Sequence, residues 1–368
     1  MGEPKINILY VYYEPFPSGQ STHVASIIMH LDRSKFTPFL VLPKNFEQYI
    51  EKYNFHGLKI IPLPMKKIFW PLASMKKFVT TIKKYDIKIV HVHSQEASFV
   101  ARILAKLAGV KKIVYTPQTI DVRNKKIFGL YKLFEFLLSK ITTKMISVNE
   151  RDRERLIQWG IPANKIKTIY NGIDLTHNMG HERTQNFKKE SSVILQIGRL
   201  SPQKDPVKFI EGAKIILEAY PRAKFLMVGN GSLQNEVEEK ISELELRDKV
   251  SVIGYQENVT ELLKSADIIT LTSAWEGTPY SIIEAMAWGK PVVVTDVNGC
   301  AEIVENEKTG FISQYADVAD WSQKVIFLLK NPDLAAEYGK AGRLKAEMNF
   351  SINKMMSSIE QVYLDMFI

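Results

Sequence analysis

A chain of 368 residues is long for one hydrophobic core, and a usual size of about 100 to 200 residues per domain favours two domains. With 45% hydrophobic and 24% charged residues the balance is that of an ordinary soluble globular protein, and the single cysteine, Cys300, excludes an internal disulfide framework and thiolate metal clusters. The net charge of +9 divides into +15 over residues 1–166 (27 Lys and Arg against 12 Asp and Glu) and −6 over the remainder (22 against 28), so the first half is expected to meet an anionic surface or partner.

Nucleic acid is a poor candidate for that partner, because no helix-turn-helix, zinc-ligand spacing or aromatic RNA-binding motif accompanies the charge. The start of the chain is too short and too weakly flanked for a secretory signal, and no apolar run reaches the roughly 20 residues needed to span a bilayer. A cytoplasmic location is expected, and nothing in the sequence sets the oligomeric state.

Ile6 to Tyr12 reads as a strand, followed by the loop Glu14 to Thr22 and an amphipathic helix ending near Leu31. Strands near Phe39–Leu42, Leu58–Ile61, Ile87–His93, Lys112–Thr116 and Met145–Val148 then alternate with helical segments, the pattern of a doubly wound parallel sheet. Lys165 to Tyr170 is followed by the turn signal Asn171-Gly172-Ile173-Asp174 and a polar stretch from Thr176 to Ser192. These set the expected domains at residues 1–170 and 171–349, with a helix at about 350–368 packing back on the first. A second α/β sheet is expected from Val193–Ile197, Lys224–Val228, Val250–Ile253, Asp267–Ser273, Pro291–Thr295 and Phe311-Ile312, followed by helices near Val318–Leu329, Pro332–Glu347 and Ile352–Phe367.

Chemistry concentrates in Glu276-Gly277-Thr278-Pro279-Tyr280-Ser281-Ile282-Ile283-Glu284, between two strands. Thr278 suits an N-cap and Pro279 the first helical position, so free amides and the positive end of a helix dipole are expected beyond the strand's carboxyl end, where open α/β sheets bind anions. Glu276 and Glu284 would then hold two parts of one elongated ligand. Upstream, the segment Gly198 to Asp205 follows a strand, and its Arg199 and Lys204 suit a diphosphate, although two solvated cations in an ordinary loop would look the same. Gly229 in Val228-Gly229-Asn230-Gly231 and Tyr255 after Gly254 follow strands where close backbone approach to a ligand, or plain turn geometry, would want glycine.

Two lysine-rich aromatic stretches account for the positive charge: Lys66 to Pro71, continuing to Lys84, and Lys125 to Phe134. Each suits an interfacial helix on an anionic leaflet, or a solvated face over a core-facing stripe.

Together these residues resemble glycosyltransferase family 4. The stretch "EGTPYSIIEAMAWGKPVVVTDVNGCAEIVENEKTGF" is similar to that family's E-x7-E signature, and Asn171–Asp174 and Gly198–Lys204 occur in its order and spacing. The resemblance implies a GT-B architecture, two Rossmann-like domains facing across a cleft, and a retaining hexosyltransferase without metal or other cofactor. It would move a sugar from a nucleotide diphosphate sugar, with UDP the expected base, to a glycan or lipid-linked glycan. Glu284 is thereby expected on the ribose, Glu276 on the donor sugar, Arg199 and Lys204 on the diphosphate, and the amides of Gly277, Thr278, Tyr280 and Ser281 around sugar and phosphate. The N-terminal loop departs from the family's paired glycines, reading Ser18-Gly19-Gln20, with Gly19 still expected at the donor. Where the family commonly has histidine, this chain has Gln118, which hydrogen-bonds but cannot take a proton; His91 and His93 are possible substitutes, facing either core or cleft. A GT-B epimerase, or a non-catalytic binding protein motivated by Gln118, are the alternatives.

Overall fold

In a computed structural model, the described residues are 4–13, 18–44, 53, 55, 57–65, 70–93, 95–120, 125–178 and 191–368. By its internal contacts the chain divides into two units, Met1–Asn171 with Ile352–Ile368, and Gly172–Ser351.

The first unit runs β1 (Ile6–Val11), α1 (Gly19–His30), β2 (Phe36–Pro43), β3 (Lys59–Leu63), α2 (Leu72–Lys84), β4 (Ile89–His93) and α3 (Gln95–Leu107). It continues with β5 (Lys112–Thr116), α4 (Lys125–Ser139), β6 (Lys144–Ser147), α5 (Glu150–Gln158) and β7 (Ile166–Thr168). Its sheet has the order β3-β2-β1-β4-β5-β6-β7, with every pairing parallel. The strands are apolar on both sides because helices cover both faces, as a parallel sheet requires. One face packs Leu9, Val41, Val90 and Tyr115 with α2 and α3; the other packs Ile8, Tyr10, Ile89 and Val114 with α1 and the terminal helix.

The second unit runs α6 (Leu175–Asn178), β8 (Ser192–Ile197), α7 (Pro206–Ala219), β9 (Ala223–Val228), α8 (Gln234–Glu243), β10 (Val250–Val252), α9 (Thr260–Ser265) and β11 (Ile268–Leu271). Then come α10 (Tyr280–Ala287), β12 (Val292–Thr295), α11 (Asn298–Ile303), β13 (Gly310–Ser313), α12 (Val318–Lys330) and α13 (Pro332–Asn349). Its all-parallel sheet has the order β10-β9-β8-β11-β12-β13. The last helix, α14 (Ile352–Asp365), buries Met355, Ile359 and Tyr363 in the first unit's core.

Both sheets reverse their winding once, between β1 and β4 and between β8 and β11. Loops leaving the carboxyl ends of those neighbours diverge to opposite faces and leave a crevice, the usual ligand site of such sheets. Two details differ from the sequence reading. Pro279, not Thr278, is the cap residue of α10, which begins at Tyr280. The stretch read as polar connection includes the end of a short helix, α6; residues 179–190 lie outside the described residues.

One buried charge pair tests the packing of the first unit. Arg102 of α3 and Glu135 of α4 are wholly buried and paired at 2.8 Å, with Arg102 also donating to Ser98 Oγ (3.1 Å) and lying 4.1 Å over the Tyr115 ring. Replacing Glu135 by leucine would leave the guanidinium buried without its counter-charge, and urea unfolding should register a loss of about 3–5 kcal/mol.

Candidate active site

In the second unit the reversal point brings the loop after β8 against the loop after β11. Asp205 caps α7 from the left-handed region (φ 45°), with Pro206 at the first helical position, so the preceding residues fold back along the sheet edge. Thr272 locks this arrangement, its hydroxyl lying 2.9 Å from the Asp205 carbonyl, 3.2 Å from the Lys204 carbonyl and 3.1 Å from Gln196 Oε1. Gln203 adds a second tie, donating to the Trp275 carbonyl (3.2 Å) while its own carbonyl accepts from the Ala274 amide (2.8 Å).

These ties bring Lys204 Nζ to 2.6 Å from Glu276 Oε1, and the same oxygen accepts from Ser273 Oγ at 2.6 Å. The lysine side chain is 15% exposed and the carboxylate 5%. The cation and carboxylate that the sequence assigned to different parts of a ligand therefore touch each other. A Cβ on Gly198 would come to 3.2 Å from the Lys204 stem, so the lysine packs closely over this glycine. Arg199 lies in the same loop, 3.4 Å from Gln203 Oε1.

Beyond Glu276 the chain passes Gly277, Thr278 and Pro279 into α10. The Pro279 carbonyl accepts from the amides of Ile282 (3.2 Å) and Ile283 (3.3 Å), so Tyr280 and Ser281 open the helix at the crevice. Glu284 is half-buried one turn further on. The start of α10 is buttressed by Gly299 of α11, where a Cβ would overlap the Gly277 carbonyl oxygen. Sequence reasoning missed Gly299, Thr272, Gln203 and Ser273; the glycine, opening a short helix after a strand, was the one visible signal. Gly229 has a packing reason: it sits at φ 141° with its Cα against the Gly198 carbonyl, where no side chain fits. Tyr255 is 45% exposed, its amide donating to Asn230 Oδ1 at 3.2 Å.

In the first unit, Ser18 and Ser21 form a reciprocal capping box at the start of α1, placing Gly19 at its first position. The Glu14–Pro17 part of that loop lies outside the described residues. Gln118, two residues past β5, is 6% exposed, and its buried Nε2 has no hydrogen-bond partner among the described residues. His91 and His93 do face one side of β4, and that side is core: both are fully buried, their rings 4.0 Å apart. His91 bonds Tyr363 Oη (2.7 Å) and Thr116 Oγ1 (2.8 Å). Burial holds both imidazoles well below their usual pKa, and it holds the adjacent His23 down to about 4, opposed only by Asn171. They are neutral core groups, and neither replaces the missing histidine at Gln118.

The chain's sequence matches two family profiles, "Glycosyltransferase Family 4" over residues 17–177 and "Glycosyl transferases group 1" over residues 180–345. It is 31% identical to the UDP-Gal:alpha-D-GlcNAc-diphosphoundecaprenol alpha-1,3-galactosyltransferase of Escherichia coli, covering 81% of this chain and 80% of that one. It is 27% identical to the N,N'-diacetylbacillosaminyl-diphospho-undecaprenol alpha-1,3-N-acetylgalactosaminyltransferase of Campylobacter jejuni, covering 85% and 87%. Among solved structures, Anabaena HepE in complex with UDP superimposes with a TM-score of 0.82 at 20% identity, over 98% of this chain and 100% of that one. The fold is GT-B.

Two outcomes are expected from this geometry. Because the folded pKa of His23 lies below the ordinary 6.5, the unfolded chain binds the extra proton as pH falls, so this share of stability is complete above 6.5 and is lost toward about 4. Chemical unfolding across that window should show His23→Asn flattening the pH slope by up to about 1.4 kcal/mol per pH unit; an unchanged slope would mean the folded imidazole already carries the proton. Gly299→Ala must push the Gly277 loop aside, and thermal unfolding should show a loss of roughly 1–3 kcal/mol.

Proposed function

The chain belongs to glycosyltransferase family 4, and from that premise we propose that it moves a hexose or N-acetylhexosamine from a UDP-sugar to a lipid-linked glycan, with retention of configuration and without a metal. The observation that carries this is the Lys204–Glu276 pair at the reversal point, flanked by Arg199 and the start of α10. Lys204 and Arg199 bind the diphosphate and take up the charge that develops as it departs, the part a metal plays in other transferases. The amides at the start of α10 add a fixed positive potential. Glu276 accepts from hydroxyl groups of the transferred sugar, and Glu284 from the ribose. Its contacts with Lys204 Nζ and Ser273 Oγ hold the Glu276 carboxylate in place, and in this reading it accepts hydrogen bonds from the sugar.

In the reaction the bond from the anomeric carbon to the leaving phosphate oxygen breaks, and an acceptor hydroxyl forms its bond to that carbon on the same face. The hydroxyl's proton passes to the leaving phosphate. This route needs no protein base, which fits Gln118 standing where the family commonly has histidine; Gln118 contributes a hydrogen bond to sugar or acceptor. UDP as the base is supported by the donor in the E. coli relative's name and by the UDP complex of HepE. A lipid-linked acceptor is supported by the diphosphoundecaprenol substrates named for both enzymes above.

Lys204→Ala and Glu276→Ala should each lower transfer by at least about a hundredfold in a protein whose folding is verified by circular dichroism. Full activity in either would sink the assignment. A thermal-shift series with UDP-, GDP- and ADP-sugars should raise Tm with the UDP-sugars, since a ligand that binds only the folded state stabilises it.

A further inference from the structure

The two lysine-rich stretches of the first unit fold in opposite senses. Residues 66–69 lie outside the described residues; after them Trp70 is buried edge-on to Phe78 at 5.4 Å. Helix α2 turns Phe78 and Ile82 inward and leaves Lys76, Lys77, Lys83 and Lys84 exposed, an ordinary amphipathic arrangement.

Helix α4 is inverted. Its acid, Glu135, is wholly buried against Arg102, while Leu130, Leu133, Phe134 and Leu137, at the i, i+3, i+4, i+7 spacing of one helical face, point outward. Ile103 and Leu107 of α3 continue the strip, and Phe99 joins it to α4, its ring 5.5 Å from that of Phe134. These six aliphatic and aromatic side chains are 44–76% exposed. A contiguous apolar patch on a face that folding could have made polar marks an interaction surface.

Charge selects the partner. From the start of α3 at Gln95 to Lys144 there are ten Lys and Arg against three acids, and one of those three is the buried Glu135. Lys106, Lys132 and Lys140 are exposed on the same helices or just beyond, and the acid of α3, Glu96, stands in its first turn, two turns before Ile103. A second copy of the chain would set two basic faces against each other, which like-charge repulsion opposes. An anionic bilayer accepts both components: apolar side chains enter the boundary between headgroups and acyl chains, and lysines engage lipid phosphates. No helix among the described residues is long and apolar enough to cross a membrane, which is consistent with a surface contact.

We propose that the outer face of α3 and α4 docks this protein on an anionic lipid surface. The docking stands on the patch itself; its use, bringing the first unit to a lipid-linked acceptor, rests on the proposed function.

The test is flotation of the full chain with phosphatidylglycerol-containing vesicles and with pure phosphatidylcholine vesicles. The parent should float with the anionic vesicles, less so in high salt, and the Leu133→Glu/Leu137→Glu variant should partition more than about tenfold more weakly. Leu344→Glu, at an exposed apolar position of the second unit, should float like the parent. Equal flotation of parent and double variant would overturn the proposal. So would a parent that does not float but whose sedimentation as an oligomer is abolished by the same substitutions, which would make the patch a contact between copies. Transfer to a water-soluble acceptor analogue, measured alongside, should be the same in parent and double variant; its absence from both would overturn the transferase reading and leave the flotation result standing.

Discussion

The candidate site depends on one interaction, the ion pair between Lys204 and Glu276. Taking an ammonium and a carboxylate out of water costs several kcal/mol each, and the two are tolerated at 15% and 5% exposure because they meet at 2.6 Å and the carboxylate also accepts from Ser273. The pair joins loops that follow β8 and β11, which are neighbours in the sheet although about 70 residues apart in the chain. Around it the surrounding bonds run largely between backbone and side chain, from Thr272 and Gln203, so the charged groups are held by elements that need no ligand to order them. Under the proposed function this order matters, because donors already in place need no reorganisation as charge develops.

A second buried ion pair shapes the other end of the protein's chemistry. Arg102 and Glu135 are secured by Ser98, Thr142 and the face of Tyr115, and this inward network turns the leucines and phenylalanine of α4 outward. Buried charges are an expensive way to join two helices when apolar side chains are available on the opposite face. The arrangement makes physical sense if that opposite face has its own apolar environment, as a lipid surface provides. The buried network and the exposed patch are then two consequences of the same rotation of α4 about its axis.

Much of the fold was legible in the residues. Continuous apolar runs such as residues 8–11 and 292–294, separated by helical periodicity, identify a parallel sheet because only a sheet covered on both faces wants apolar side chains on both. The segment from Glu276 to Glu284 stood out in the sequence because two acids flank a helix start directly after an apolar strand. Finer points were not legible. Thr278 and Pro279 each suit a helix start, and one residue's shift in where α10 begins is decided by how the chain leaves β11 rather than by propensity. His91 and His93 alternate correctly with their neighbours, yet whether their side of β4 was core depended on α1 and α14, which pack there from distant parts of the chain.

The sequence by itself determined the two sheets, the family, and which residues carry charge near the second sheet's reversal point, since these follow from periodicity and from motifs local in the chain. Only the tertiary structure decided that Lys204 pairs with Glu276, that Gly299 is glycine because Gly277 lies against it, and that α4 faces outward with its leucines. Each of these is a relation between segments distant in sequence. Periodicity specifies that a helix has two faces, but which face is buried depends on what the rest of the chain sets beside it, and for α4 that was a buried arginine.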